Sequence, residues 1–413
     1  MYEVVIAGGG LHGTFFAHSL LSRGYVTRSQ LCIVDPNARL AAVWLRRARR
    51  VGMEFLRSPS SHNLDPDYRA LRRHAVHKGF ARNVHLKPPY ARPSTRLFTD
   101  QLEHIVESDR LDAVHYRARV TGISRTSSGY SVQTDSGTLH TRQVILALGP
   151  GSLMQPPGLQ ADEQRAGHLF AGTDESIDSE VSPDPYEEAA RGGARMAVIG
   201  GGISAWQAAL RYSELGAGTV SLISPHPIVE SLFDSDPCYI GPKCGSTYDL
   251  LPPEEKLECL RRARFPGTIP PELAAAAREA CDRGAIHSTL CPARRLEHHE
   301  NQVTVHTSDG AALGPFDSAV FATGLTRSVP YIELISRISR ELNLPLHAGG
   351  HPVLTSSLEW APGLFCTGRH GELIIGPQAA SIVGAHLAFR RLIPELKTRL
   401  ENAADARTHP VCD

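Results

Sequence analysis

What the chain lacks narrows it before any motif does. None of its eight cysteines (Cys32, Cys238, Cys244, Cys259, Cys281, Cys291, Cys366 and Cys412) stands in a C-x-x-C pair, so neither a zinc ribbon nor a redox dithiol is indicated. Scattered reduced thiols suit the cytoplasm. Neither sign of charge is in excess: Lys+Arg and Asp+Glu both number 43. A general binder of nucleic acid or of an anionic membrane carries a basic field, so neither partner is expected, although segregated patches stay open. No uninterrupted apolar run reaches the roughly 18 residues of a membrane helix, and no basic stretch with a cleavage site precedes the first strand pattern. Metal-ligand spacing is missing too. His74 and His77 share a helical face without an acid or cysteine beside them, and His298-His299-Glu300 reads as an exposed turn, so no metal is expected. With 413 residues, 41% hydrophobic and 21% charged, the chain has the balance of a soluble globular protein of two or three domains.

What is present is a strand, a glycine turn and a helix, twice. Val4 to Ala7 is an apolar run that reads as a buried parallel strand. Gly8-Gly9-Gly10-Leu11-His12-Gly13 follows, then a helical pattern with Gly24 as its C-cap. In a dinucleotide fingerprint the first glycine (Gly8) permits the turn, the second (Gly10) lets the backbone approach a pyrophosphate, and the third (Gly13) lets helix and strand pack closely. Free N–H groups and the helix dipole favour the phosphates. The next strand, Gln30 to Asp35, ends in an acid about 20 residues beyond Gly13, where the fingerprint places a carboxylate for the ribose hydroxyls; Asp35-Pro36-Asn37 also reads as a simple turn. The theme recurs as Met196 to Ile199, then Gly200-Gly201-Gly202-Ile203-Ser204-Ala205, then a helix. Its second strand ends in Ser224-Pro225-His226. Without an acid there to repel a 2′-phosphate, NADPH is favoured over NADH. The basic group that meets the phosphate is left open between His226 and Lys243. Two fingerprints imply two nucleotide domains, the first suited to FAD and the second to NADPH.

Between and around them the pattern is uneven. The Ser/Pro/Asn-rich stretch from Phe55 to Leu64 reads as a loop leading into a helix around Asp67 to His77. Residues 82–96 look like a surface excursion, and Leu97 to Val106 is amphipathic. Val114 to Ile123, Tyr130 to Thr134 and Leu139 to Thr141 alternate as a small antiparallel sheet, and Gln143 to Leu148 is a buried strand ending at Gly149-Pro150. Residues 151–193 read as a linker. Residues 228–290 are largely helical with Pro and Gly breaks, an insertion that serves either for substrate contacts or as a packing elaboration. Pro377 suits the first turn of a final Ala-rich helix, and the tail after about Glu401 reads as frayed.

One further segment is more specific. Asp317-Ser318-Ala319-Val320-Phe321-Ala322-Thr323-Gly324-Leu325, followed by Pro330, resembles the Asp-x3-Leu/Phe-Ala-Thr-Gly-Tyr-x4-His/Pro motif of the class B flavin monooxygenases, in particular the lysine and ornithine N-hydroxylases; Leu325 stands where the motif has Tyr. The Phe55 to Leu64 loop looks like that group's flavin-facing loop, and Glu372-Leu373 with Gly376-Pro377 looks like its C-terminal end. The missing C-x-x-C argues against the disulfide reductases that share the fingerprints. The resemblance implies an α/β fold of two Rossmann-like domains in the three-layer FAD/NAD(P)-binding arrangement. An FAD domain would be split into 1–155 and 310–413, with an NADPH domain over 156–309 and its insertion over 228–290. It implies an NADPH-dependent, FAD-containing monooxygenase acting on nitrogen of a small amine with dioxygen, through a C4a-hydroperoxyflavin. The cofactor supplies the chemistry and the protein supplies orientation and dryness. The implied cofactor contacts are Gly8, Gly10, Leu11, His12, Gly13, Asp35, Pro36, Trp44, Val120, Gly149, Gly200, Gly202, Ile203, Ser204, Ala205, Ser224, Thr323, Gly324, Gly368, Gly376 and Pro377. The candidate catalytic groups are Arg57, Ser61, His62 and His370, with Arg369 and Glu372 nearby. A flavin oxidoreductase or oxidase that oxygenates nothing, and a flavin- and NADPH-binding sensor, remain alternatives. An oligomer is possible.

Overall fold

The computed structural model describes residues 1–149, 151–155, 158–159, 165–173, 184–326 and 328–408. Much of the 151–193 linker, Pro150, Cys412 and the end of the tail lie outside the described residues.

The apolar run Tyr2–Ala7 (β1) is buried from Glu3 onward, as a strand flanked by parallel neighbours must be. Val4 pairs with Leu31 of Leu31–Asp35 (β2) on one side. On the other it pairs with Gln143 of Gly137–Leu146 (β3). The helix between β1 and β2, Leu11–Ser22 (α1), and the next, Ala42–Arg50 (α2), belong to this unit, as does Thr95–Asp109 (α3), which Ser94 caps by accepting from Leu97 N–H. Leu364–Cys366 (β7) extends the sheet beyond β3 in parallel register. The final helix Ile382–Thr408 (α7) lies against α1 through Phe15 and Phe389, whose ring centroids are 5.9 Å apart. Phe15 and Phe16 are fully buried, each stabilising the unit by about 2–3 kcal/mol.

The second unit repeats the plan. Arg195–Ile199 (β4), the helix Ile203–Glu214 (α4) and Thr219–Ser224 (β5) form its fingerprint half. Its five-stranded sheet runs His287–Leu290, β5, β4, Ser318–Phe321 (β6) and Ala166–His168. Between β5 and the sheet's edge strand lies the insertion, with Pro242–Leu250 (α5) and Pro271–Asp282 (α6) among its helices. Three antiparallel strands, Ala293–His299, Gln302–Thr307 and Ala312–Phe316, cover the sheet.

Four expectations need correction. The split at residue 310 is too early: β6 pairs with β4, so the strand of the Ala-Thr-Gly motif belongs to the second sheet. Pro377 is not in the first turn of the last helix, because residues 377–380 form a turn and α7 begins at Ile382. The C-terminal stretch is helical to Thr408 where a frayed tail was expected from about Glu401. The cysteines are not all reduced, since Cys238 and Cys244 form a disulfide. A search for C-x-x-C misses a pair separated by five residues and joined by a turn. Among the described residues no group of His, Cys, Asp or Glu is placed to hold a metal, and no helix is long and apolar enough to cross a membrane.

Candidate functional site

The first glycine turn is a cradle with one open side. Gly8 has φ +110°, and a Cβ there would lie 2.3 Å from the Ala147 carbonyl oxygen. A Cβ on Gly13 would lie 1.8 Å from the Gly8 oxygen, which is why helix and strand approach only with glycine at that position. Gly10 is different: its φ is −69° and nothing lies within 4 Å of where its Cβ would stand. That space fronts the start of α1, whose first N–H groups have no intrahelical partner. Asp35 sits at the edge. Its Oδ2 accepts from Gly9 N–H at 2.7 Å, and its Oδ1 accepts from the Asn37 backbone at 2.9 Å and side chain at 2.8 Å. The carboxylate therefore shapes the loop and keeps lone pairs for a ribose. Pro36 follows at the turn, and Ala118 N–H binds the Asp35 carbonyl, which brings the strand beginning at Val120 beside this edge.

Side chains first assigned to the cofactor divide at this point. Leu11 packs against the core, and Trp44 packs on Phe98 with ring centroids 5.1 Å apart. The His12 ring donates from Nε2 to the Ser381 carbonyl and accepts at Nδ1 from the Thr367 hydroxyl, both at 2.8 Å. Burial pushes it down to about 4, so it is neutral and ties the start of α1 to the approach of α7. Gly149, Gly324, Gly368 and Gly376 all have positive φ; the first three mark turns where the chain leaves a sheet, and Gly376 ends the short helix Glu372–Ile375. The Thr323 hydroxyl donates to the Met154 carbonyl, and Met154 N–H donates to Gly324. The Ala-Thr-Gly motif is thus a crossing between the two units.

Three of the four candidate catalytic residues are well buried, and two of them make structural contacts. Arg57 crosses to the other unit, donating from Nε to Leu232 O (3.0 Å), from Nη2 to Ser231 O (2.7 Å) and Thr268 Oγ1 (3.1 Å), and from Nη1 to Thr268 O (3.3 Å). Its guanidinium is a clamp with little left for a substrate. His370 is fully buried, its Nε2 donates to Pro330 O at 2.9 Å, and burial lowers it to about 4. A proton shuttle near neutrality needs a group that titrates there and meets solvent or substrate; His370 instead holds the Pro330 carbonyl, with its Nδ1 buried and unpartnered. His62 is also lowered to about 4, by burial and then by nearby His386. Ser61 lines a groove of about 750 Å³ with Tyr68, Arg69, Arg72, Arg73 and His77.

The C-terminal segment carries what the motifs did not show. Glu372 is 2% exposed, and its Oε2 pairs with the Arg264 guanidinium from the insertion; Arg369 and His351 stand further off at 3.8 and 3.7 Å. Tyr248 donates to the Glu372 carbonyl at 2.7 Å, and Gln378 Nε2 donates to the Asp236 carbonyl. Gln378 Oε1 is buried without a hydrogen-bond partner. An orphaned acceptor beside Gly376-Pro377 fits the N–H edge of an isoalloxazine ring. With the open face at Gly10, it makes these residues a fit for FAD.

The second cradle is roofed. Gly200 has φ +146°, and a Cβ there would meet the Ala322 oxygen at 2.4 Å. Gly201 faces Ser224 Oγ and the His226 ring, and a Cβ on Gly202 would lie 3.3 Å from Gly267 Cα. Ala205 is fully buried beneath the turn, with Ile203 and Ser204 opening α4. Ser224 donates its hydroxyl to the His226 carbonyl at 2.5 Å. A cavity of about 290 Å³ lies at the end of β5, lined by Ser224, His226, Arg278 and Ser288 among others. Lys243 does not line it. Arg278, which does, lies far along the chain on α6, and no local pattern announces it.

A family model described as FAD-NAD(P)-binding matches residues 5–151, the N-terminal part of the first unit. No curated protein matches the sequence. Among solved structures, the chain is similar to the ornithine N-hydroxylase KtzI of Kutzneria sp. 744 in its reduced-FAD, NADP+ and L-ornithine form. The TM-score is 0.74 at 18% identity, over 98% of this chain and 100% of that one. It is also similar to DfoA, a cadaverine monooxygenase of Erwinia amylovora bound to FAD, with TM-score 0.70 at 14% identity over 96% and 94%. The bacillithiol disulfide reductase Bdr of Staphylococcus aureus matches with TM-score 0.59 at 14% identity over 97% and 98%. At such identities the likeness establishes the fold, two Rossmann-like domains in one chain.

Proposed function

We propose that this chain is an FAD- and NADPH-dependent monooxygenase that hydroxylates the nitrogen of a small amine. The carrying observation is the open glycine cradle at Gly10, rimmed by Asp35, within an architecture shared end to end with an ornithine N-hydroxylase and a cadaverine monooxygenase. FAD, bound there and reduced by NADPH, supplies the activation of dioxygen.

The chain's own work is to hold, orient and dry the site. Gly10 and the start of α1 receive the pyrophosphate. Gln378 Oε1 accepts from the pyrimidine edge. Arg57 holds Ser231, Leu232 and Thr268, and the Arg264–Glu372 pair holds the adjoining stretch, which Asp236 and Phe265 bond to the first, so both fasten the insertion to the first unit. Water excluded by that closure would otherwise divert the oxygen transfer. Arg278 and Ser224 receive the 2′-phosphate of NADPH. An amine of ordinary pKa, about 10.4 for an alkyl ammonium, must lose a proton before it acts as a nucleophile, so turnover rises with pH.

The test is single-turnover reduction by NADPH without oxygen, then mixing with labelled dioxygen and a panel of diamines and basic amino acids. One labelled oxygen atom in an N-hydroxylated product is expected. NADPH consumption with release of peroxide and no labelled product for any amine would favour the oxidase alternative. If NADH reduces the flavin as well as NADPH does, the reading of Ser224 and Arg278 fails.

A further inference from the structure

We propose that Cys238 and Cys244 form a redox-active disulfide that takes an electron pair from the reduced flavin. The proposal rests on the FAD site inferred above and adds a second acceptor to it.

The position of the pair carries the argument. Cys238 lies in the single turn Pro237–Ile240, and Cys244 lies in the first turn of α5. The residues that flank the disulfide in sequence bond to residues 372–378, the segment assigned above to the flavin's pyrimidine edge. Asp236 receives the Gln378 amide, and Tyr248 donates to the Glu372 carbonyl, its ring 3.9 Å from the Cβ direction of Gly376. The disulfide is thus suspended between two anchors that both land on residues 372–378. Cys238 and Cys244 are half-buried, whereas Cys32, Cys291 and Cys366 are buried. Burial pushes the Cys366 thiol up, as expected of an inert core cysteine. The loop the bridge closes is short, so as a brace it contributes less than a long-range cross-link would.

The chemistry balances on residues already placed. The disulfide accepts two electrons, the sulfur–sulfur bond breaks, and the proton released by the reduced flavin goes to one sulfur. The other sulfur remains a thiolate. Cys244 is suited to hold that charge, since it stands at the positive end of a nine-residue helix beside Lys243. Electrons enter from NADPH through FAD. The dithiol is then ready to exchange with a further disulfide, a class of substrate that the missing C-x-x-C had excluded.

The deciding experiment titrates the FAD-loaded protein with NADPH under anaerobic conditions, following flavin absorbance and, in the same samples, alkylated cysteines by mass spectrometry. Two NADPH equivalents per FAD are expected, with two new alkylated thiols at Cys238 and Cys244. The Cys238→Ser/Cys244→Ser double variant should bind FAD as the wild type does and consume one equivalent. A bleached flavin with the 238–244 bridge intact would overturn the proposal while leaving the FAD and NADPH sites standing. A flavin that NADPH leaves oxidised would refute the NADPH site instead, and light-driven reduction of the same flavin would then decide the disulfide. A preparation without flavin would overturn both.

Discussion

At Gly10 a single hydrogen separates a cofactor site from a blocked one. Its φ suits any L-residue and its Cβ direction is empty, so Gly10→Val should fold with a wild-type melting temperature and bind FAD at least tenfold more weakly, a loss of about 1.4 kcal/mol or more. Equilibrium dialysis with FAD measures it, and a yellow, fully loaded variant would refute the cradle. Gly13→Ala should instead cost stability, about 1–3 kcal/mol, because its methyl group meets the Gly8 carbonyl. His18 sets a pH limit. Burial alone would lower its pKa, but hydrogen bonds to Asp109 (2.6 Å) and Asp65 (3.2 Å) raise it to about 9. A raised folded pKa gives stability that is complete below the unfolded value near 6.5 and fades as pH climbs through about 9. Unfolding free energies from denaturant curves should fall over that window in the wild type, by at most about 3 kcal/mol in all, and stay flatter in His18→Gln. The glycines and Asp35 were legible because backbone geometry dictates them locally. Arg278, Gln378 and Arg264 were not, because each acquires its role from a partner distant in sequence.

Among the elements, α2 and the loop behind it act as a latch. Arg50 donates to the Leu169 and Ala171 carbonyls, Arg46 donates to Thr173, and Arg57 grips the 231–268 ribbon. In the sequence Arg57 reads as a catalytic candidate in the Phe55 to Leu64 loop. The spacing of the arginines carries no hint of carbonyls across a domain boundary. Arg57→Leu should therefore retain FAD, lose on the order of 3 kcal/mol through unsatisfied carbonyls, and become sensitive to proteolysis within 228–290. Unchanged resistance to protease together with abolished flavin reduction would restore Arg57 to the catalytic set. Strands and helices themselves were legible wherever periodicity was strong, as in β1, β4 and α3. The start of α7 was misplaced because Pro377 belongs to a turn that looks like a helix start.

In the whole molecule the two units are held together at several points, including the buried Arg92 paired with Glu272 at 2.7 Å. Small-angle scattering should therefore show the same radius of gyration with and without NADP+, and a shift of several ångströms on binding would mean that the latch opens in solution. The two-domain plan was visible from the repeated fingerprint, but the boundary near residue 310 was not, because β6 belongs to the sheet of the unit that precedes it. The His12 contact with Thr367, 355 residues away, has a consequence for the order of events during synthesis. A ribosome releases the glycine turn long before the threonine, so the N-terminal unit lacks one wall until 355 further residues have been made. Flavin capture then becomes a late event, reserved for chains translated past Thr367.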